Sequence, residues 1–149
     1  MKYFPFVTSG ENRPANIIIL CDHAANTVPA EIAGGDLGLP AEDMNRHIAY
    51  DIGAAGVSEH LGRMLDAPVI CSNFSRLVID PNRGADDPTL LMRLYDGTLI
   101  PANRYADAQE LEKRMALCHR PYHAEVARLV RQKERPVLIS VHSFTPQLR

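Results

Sequence analysis

The sequence has no apolar run able to cross a bilayer. Its longest, Ile17 to Cys21, falls far short of the ~20 residues that a membrane helix needs. It also lacks an excess of one charge: 16 Lys+Arg stand against 18 Asp+Glu, a net charge of −2. No basic field is offered to nucleic acid or anionic lipid, and neither partner is expected. Cysteine is scarce. Cys21, Cys71 and Cys118 form neither an even set nor a CxxC pair, which points to a reduced, cytoplasmic protein. In the opening MKYFPFVTSGENRPAN, Pro5 and polar residues stand where a secretory signal needs an unbroken apolar stretch. No repeat or low-complexity tract interrupts the chain. What is present is ordinary globular composition: 149 residues, 46 % apolar and 23 % charged. That suffices for one domain over residues 1–149 with a buried core, and is too little for two.

Four short apolar segments read as strands. Ile17–Cys21 is a β-branched run without alternation, the pattern of a strand covered on both faces in a parallel sheet. Val69–Cys71, Leu77–Ile79 and Val137–Val141 are the other three. The first sixteen residues read as an irregular lead-in. Residues 46–65 read as a helix, with Ile48, Ile52, Ala55, Leu61 and Leu65 near one stripe. Residues 106–132 read as a second, in which Pro121 should kink or split the helix. Gly84 to Tyr105 has no clear period and reads as a long loop, a kind of segment that is often functional. Strands alternating with helices give an α/β fold, three-layered around a mostly parallel sheet. Such sheets bind ligands beyond the carboxyl ends of their strands.

The polar residues cluster at those ends. Asp22-His23 follows the first strand and His142 follows the last. One histidine at a strand end is commonly a hydrogen-bonded loop residue. Two that leave a parallel sheet by the same edge, joined by a carboxylate, make the donor set of a catalytic zinc site. His47 and Asp51 lie four apart and share a face. They are either a surface pair, or Asp51 is the third ligand with His47 beside it contacting ligand or substrate. In Ser75–Arg83, Arg83 follows the carboxyl end of a strand, where its guanidinium could clamp a substrate carboxylate with Asn82 as a neutral donor. The competing reading is a plain Asp-Pro-Asn turn with Arg83 paired to Asp86 or Asp87. Arg76 reads as structural, bridging Asp80 or a loop carbonyl. Tyr122 falls on the apolar stripe and reads as packing, while His60, His119 and His123 read as solvated helix residues. The three cysteines read as small core residues. Gly34-Gly35-Asp36-Leu37-Gly38 lacks the preceding strand and the lysine of a phosphate loop.

Taken together, CDHAANTVP (21–29), HIAYDIGA (47–54), SRLVIDPNR (75–83), DGTLIPAN (96–103), RPYH (120–123) and SVHSFTP (140–146) resemble the N-formylglutamate amidohydrolase family. They follow family order over nearly the whole chain. The resemblance implies a fold like that of the zinc-dependent exopeptidases, the zinc carboxypeptidases and aminoacylases. It implies metal-assisted hydrolysis of N-formyl-L-glutamate, or a similar N-acyl acidic amino acid, to formate and L-glutamate in histidine catabolism. His23 and His142 match the family's metal-binding histidines, and Asn82-Arg83 match the pair that holds the substrate carboxylate. The carboxypeptidase relatives carry a glutamate three residues after the first histidine; Asn26 stands there, so the third-ligand role passes to Asp51. The expected cofactor is zinc or another divalent metal. Family members continue well beyond HSFTP, so the chain, which stops at Arg149, is expected to lack their C-terminal part. The general base is therefore expected beyond Arg149, with His47 as the internal candidate. An exposed sheet edge that favours a homo-oligomer is expected too. Two rivals stand beside this reading: an inactive member that only binds metal or carboxylate, and a related deacylase or carboxypeptidase-like peptidase.

Overall fold

The computed structural model describes residues 3–147. Arg149, beyond which the general base is expected, lies outside the described residues. In chain order the structure contains β1 (Phe6–Ser9), β2 (Ile17–Cys21), α1 (Ala41–Met44), α2 (Ala54–Met64), β3 (Val69–Ser72), β4 (Leu94–Tyr95) and β5 (Thr98–Leu99). These are followed by α3 (Ala108–Arg114), a π turn over Met115–His119, α4 (Arg120–Arg131) and β6 (Val137–Ser140). Four strands form one sheet in the order β1-β3-β2-β6. β2 runs parallel to both β3 and β6, while β1 is antiparallel to β3. The fold is α/β with a mixed, mostly parallel sheet.

The central strand explains its own sequence. Ile18 faces a cluster that includes Ile70, Tyr122 and Leu129, whereas Ile19 faces a second one with Val69, Ala67 and Leu61. Ile18 and Ile19 are both fully buried, so an alternating pattern would strand a polar residue in one of two apolar layers. α2 contributes Leu61 to one face, and α4 contributes Tyr122 and Leu129 to the other. β6 is an edge strand among the described residues, with Val137 and Leu138 exposed.

Four expectations are corrected. The lead-in carries β1, whose four residues add to the sheet through Phe6↔Ser72 to Ser9↔Val69. Leu77–Ile79 is not a strand. These residues are completely buried, but Val78 N–H closes a turn on Ser75 O at 2.9 Å. The carbonyls of Leu77 and Val78 accept from Asn103 Nδ2 (2.8 Å) and Arg114 Nη1 (2.9 Å) rather than from a neighbouring strand. The helix expected over 46–65 begins only at Ala54, because Gly53 adopts φ 82° at its start, a left-handed conformation suited to glycine. The 84–105 loop contains the β4–β5 hairpin, turned by Asp96 and Gly97 at φ 44° and 74°, the signature of a type I′ turn. The expected division of the 106–132 run is present, α3 and α4 being separated by a π turn just before Pro121. The proline enters α4 in the first turn, directly after the π turn, whose wider winding accommodates a ring that an α-helical ladder would reject.

Gly62 marks the tightest approach of α2 to the sheet. A Cβ there would collide with Val69 Cγ2 and crowd Ala67 O. Gly62→Ala should therefore lower stability by about 1–3 kcal/mol from overpacking, despite the ~1 kcal/mol that alanine gains in helix propensity. Denaturant unfolding of the two chains measures this.

Candidate metal centre

The parallel pairing of β2 with β6 sets Leu20 opposite Ser140, and Val141 N–H donates to Leu20 O at 2.9 Å. The residues that follow each strand therefore leave the sheet together. His23 and His142 meet with ring centroids 5.1 Å apart. Asp51 is brought to them by its own backbone, whose N–H donates to His23 O at 2.9 Å. One ligand atom each from His23, Asp51 and His142 lie within 4.8 Å of one another. The two histidines and the carboxylate singled out by sequence are thus assembled at the edge where β2 and β6 end.

The orientation of each ring is set by hydrogen bonds on its far side. His23 Nε2 donates to Asp80 Oδ1 at 2.7 Å, which turns Nδ1 toward Asp51 Oδ2 at 3.4 Å. His142 Nε2 donates to Ser140 Oγ at 3.0 Å, because the Ser140 hydroxyl proton is already given to Asp22 Oδ2 at 2.8 Å. His142 Nδ1 then faces Asp51 Oδ2 at 2.8 Å. Tyr122 completes the chain by donating to Asp22 Oδ1 at 2.6 Å. Both imidazoles consequently aim their lone-pair nitrogen at one carboxylate oxygen. Such a close approach of acceptors calls for a cation between them, either a proton or a metal. Backing of each ligand imidazole by a carboxylate or hydroxyl is the usual outer arrangement of zinc histidines. Two histidines and one carboxylate also leave the fourth tetrahedral position open. The donor set fits a divalent cation.

Electrostatics agree. Burial opposes the charged form of His23, but its bonds to Asp51 and Asp80 outweigh this and raise its pKa above the ordinary imidazole range. Burial also works against ionised Asp51 and Asp80, yet the contacts with His23 and Arg76 hold both below the usual carboxylate range, aided by His142 at Asp51 and by the Asn82 N–H at Asp80. Arg76 ties the two carboxylates together, Nη2 to Asp80 Oδ2 at 3.1 Å and Nη1 to Asp51 Oδ1 at 3.5 Å. The expected bridge from Arg76 to Asp80 is present. The guanidinium also lies over the Tyr95 ring, 5.2 Å from its centroid.

The sequence assigned Asp80 only a turn and a bridge to Arg76, yet it organises the site. Its Oδ1 accepts Asn82 N–H at 2.9 Å as well as the His23 ring. The Asn82 and Arg83 side chains stand exposed beyond it, the guanidinium making only loose contacts of 3.9 Å with Asp80 and Asp87. His47 lies elsewhere, against the hairpin, with Nε2 3.0 Å from Asp96 Oδ2. Tyr122 is buried as expected but also supplies the Asp22 bond. His60 is exposed. His119 is not: it is buried and bonds to Arg83 O. His123 is exposed but bonds to Pro81 O. Cys21 and Cys71 are free thiols facing each other across β2 and β3, and Cys118 is free and buried.

Comparison with known proteins gives three findings. A family model described as N-formylglutamate amidohydrolase matches residues 15–149. A solved gene product of Agrobacterium tumefaciens, 28% identical, superposes with a TM-score of 0.90 over 95% of this chain and 57% of its own. A structure of N-formylglutamate amidohydrolase from Ralstonia eutropha, 18% identical, shares the fold with a TM-score of 0.75 over 97% of this chain and 63% of its own. The chain thus spans less than two thirds of either solved structure. A search of curated proteins found no match.

Zinc titrated into the metal-free protein should bind one equivalent by calorimetry, and Asp51→Asn or His142→Ala should abolish the tight site. Asp80→Asn should weaken it by roughly 10- to 100-fold, as expected when the group behind a ligand histidine is lost. Because metal must displace the proton that raised-pKa His23 retains, affinity should fall as pH is lowered through that titration. Equal isotherms for the wild type and His142→Ala would contradict the site.

Proposed function

Since the chain belongs to the N-formylglutamate amidohydrolase family, we propose that its site hydrolyses the amide of N-formyl-L-glutamate or a closely similar N-acyl acidic amino acid. One water is consumed, and formate and L-glutamate leave. The observation that carries this reading is the convergence of His23, Asp51 and His142 beside the exposed Asn82-Arg83 pair. His23 Nδ1, an Asp51 oxygen and His142 Nδ1 would hold a divalent cation, with zinc the first choice for two imidazoles and a carboxylate. When bound, such an ion supplies Lewis acidity toward the scissile carbonyl and lowers the pKa of water.

The protein's own residues then have distinct tasks. Arg83 provides a planar fork for a substrate carboxylate, held among the described residues only by 3.9 Å contacts with Asp80 and Asp87, so the fork is available. Asn82 adds a neutral donor. Anchoring the carboxylate fixes the direction in which the N-acyl end extends, converting binding energy at a remote group into orientation of the scissile bond. Asp80 connects the two halves: one oxygen holds the His23 ring and also the backbone that carries Asn82. Arg76 offsets the charge that Asp51 and Asp80 would otherwise concentrate beneath the site.

A second reading starts from the partial overlap with two similar solved structures, of which this chain spans 57% and 63%. On that reading the site binds metal and carboxylate without turnover. The two are separated by incubating the zinc-loaded chain with N-formyl-L-glutamate and assaying formate. The proposal expects formate, lost in His142→Ala and on chelation, with N-acetyl and peptide analogues cleaved more slowly. Arg83→Ala should raise KM by roughly 10- to 100-fold, the equivalent of one hydrogen bond to a charged group, with little change in kcat. Stoichiometric zinc without formate would leave only the second reading.

A further inference from the structure

We infer that His119 and His123 are positioning residues for the Asn82-Arg83 pair, gripping the backbone of its turn from the helical side. His119 Nε2 donates to Arg83 O at 2.9 Å, and His123 Nε2 donates to Pro81 O at 2.9 Å. The rings lie side by side with centroids 4.4 Å apart, as residues four apart on a helix should.

The grip follows from the winding of the helix. Arg114 donates to Val78 O, at the start of the same segment. In a regular α-helix, positions 114 and 119 would differ by about 140° around the axis. The π turn over Met115–His119 closes i→i+5 hydrogen bonds and winds more widely than an α-helix, which brings the two positions toward the same side. Arg114, His119 and His123 thus form one row of donors facing the carbonyls of Val78, Arg83 and Pro81. The segment takes such a row because, among the described residues, it pairs with no strand, and a carbonyl left unpaired away from water is costly. On its other side, Asp80 bonds Asn82 N–H and the His23 ring. The turn is therefore pinned between the metal-site residues and the helix, with only the Asn82 and Arg83 side chains exposed.

The choice of histidine has a chemical reason. A neutral imidazole donates from a rigid, fixed reach without adding a cation that would compete with Arg83 for a carboxylate. Burial and the neighbouring His119 ring lower the His123 pKa below its ordinary value, which favours that neutral form. The role of the pair in substrate anchoring rests on the proposed function; its grip on the turn does not.

The test compares His119→Ala/His123→Ala with His119→Gln/His123→Gln in the full chain, since glutamine retains an Nε donor at similar reach. Hydrogen exchange of the Asn82 and Arg83 amides should quicken by about tenfold or more in the alanine variant, the equivalent of one lost hydrogen bond. The amides of β2 and β3 should keep their rates, and glutamine should restore protection. With N-formyl-L-glutamate, KM should rise by about tenfold at nearly constant kcat, and the α-carboxamide analogue should show no such rise. Unchanged exchange at Asn82 and Arg83 would overturn the inference, as would faster exchange throughout the sheet or failure of glutamine to rescue. Should the wild type release no formate, the proposed function falls, while the exchange rates and their rescue still decide the grip.

Discussion

The parallel alignment of β2 with β6 is the constraint on which the site depends. It makes Leu20 and Ser140 neighbours, so the next residues of both strands emerge at one edge and His23 faces His142. Burial of β2 on both faces fixes that alignment. A slip of one residue would turn Ile18 and Ile19 into the wrong layers and leave His23 without its partner. The apolar core and the polar site are two consequences of one register.

Around that edge the carboxylates do complementary work. Asp51 faces both Nδ1 atoms, whereas Asp80 and Asp22 hold the opposite sides of the rings, Asp22 through Ser140. Arg76 prevents this cluster from being an uncompensated negative charge. The segment from Leu77 to Arg83 links the site to the rest of the molecule: it is packed like core, yet side chains of Asn103, Arg114, His119 and His123 take the place of a neighbouring strand. A strand there would not have produced the turn that exposes Asn82 and Arg83.

The sheet was legible because β2 and β3 are buried apolar runs, and burial of a strand writes itself into residue type; β6 reads the same way by its apolar run, although Val137 and Leu138 lie exposed at the edge. The same logic misreads Leu77–Ile79, since apolar residues report burial and not the donor that satisfies their carbonyls. Asp96-Gly97 did carry a hairpin signal, hidden within a loop whose flanking strands are only two residues each. The convergence of His23 with His142 could be argued from strand ends. Asp80 could not, because Asp-Pro-Asn is good turn chemistry whatever lies behind it. His119 and His123 read as solvated helix residues, which holds for exposed His123 but not for buried His119, whose placement depends on the helical phase. The π turn breaks that phase, and no residue type in Met115–His119 announces it.

The most direct test of the account is X-ray absorption at the zinc edge of the metal-loaded chain. Two histidine imidazoles at about 2.0–2.1 Å, with oxygen donors completing a four-coordinate shell, are the result predicted, and one imidazole should vanish in His142→Ala. A wild-type spectrum with a single imidazole or none, or one that His142→Ala leaves unchanged, would contradict the claim that the register of β2 and β6 builds one metal centre.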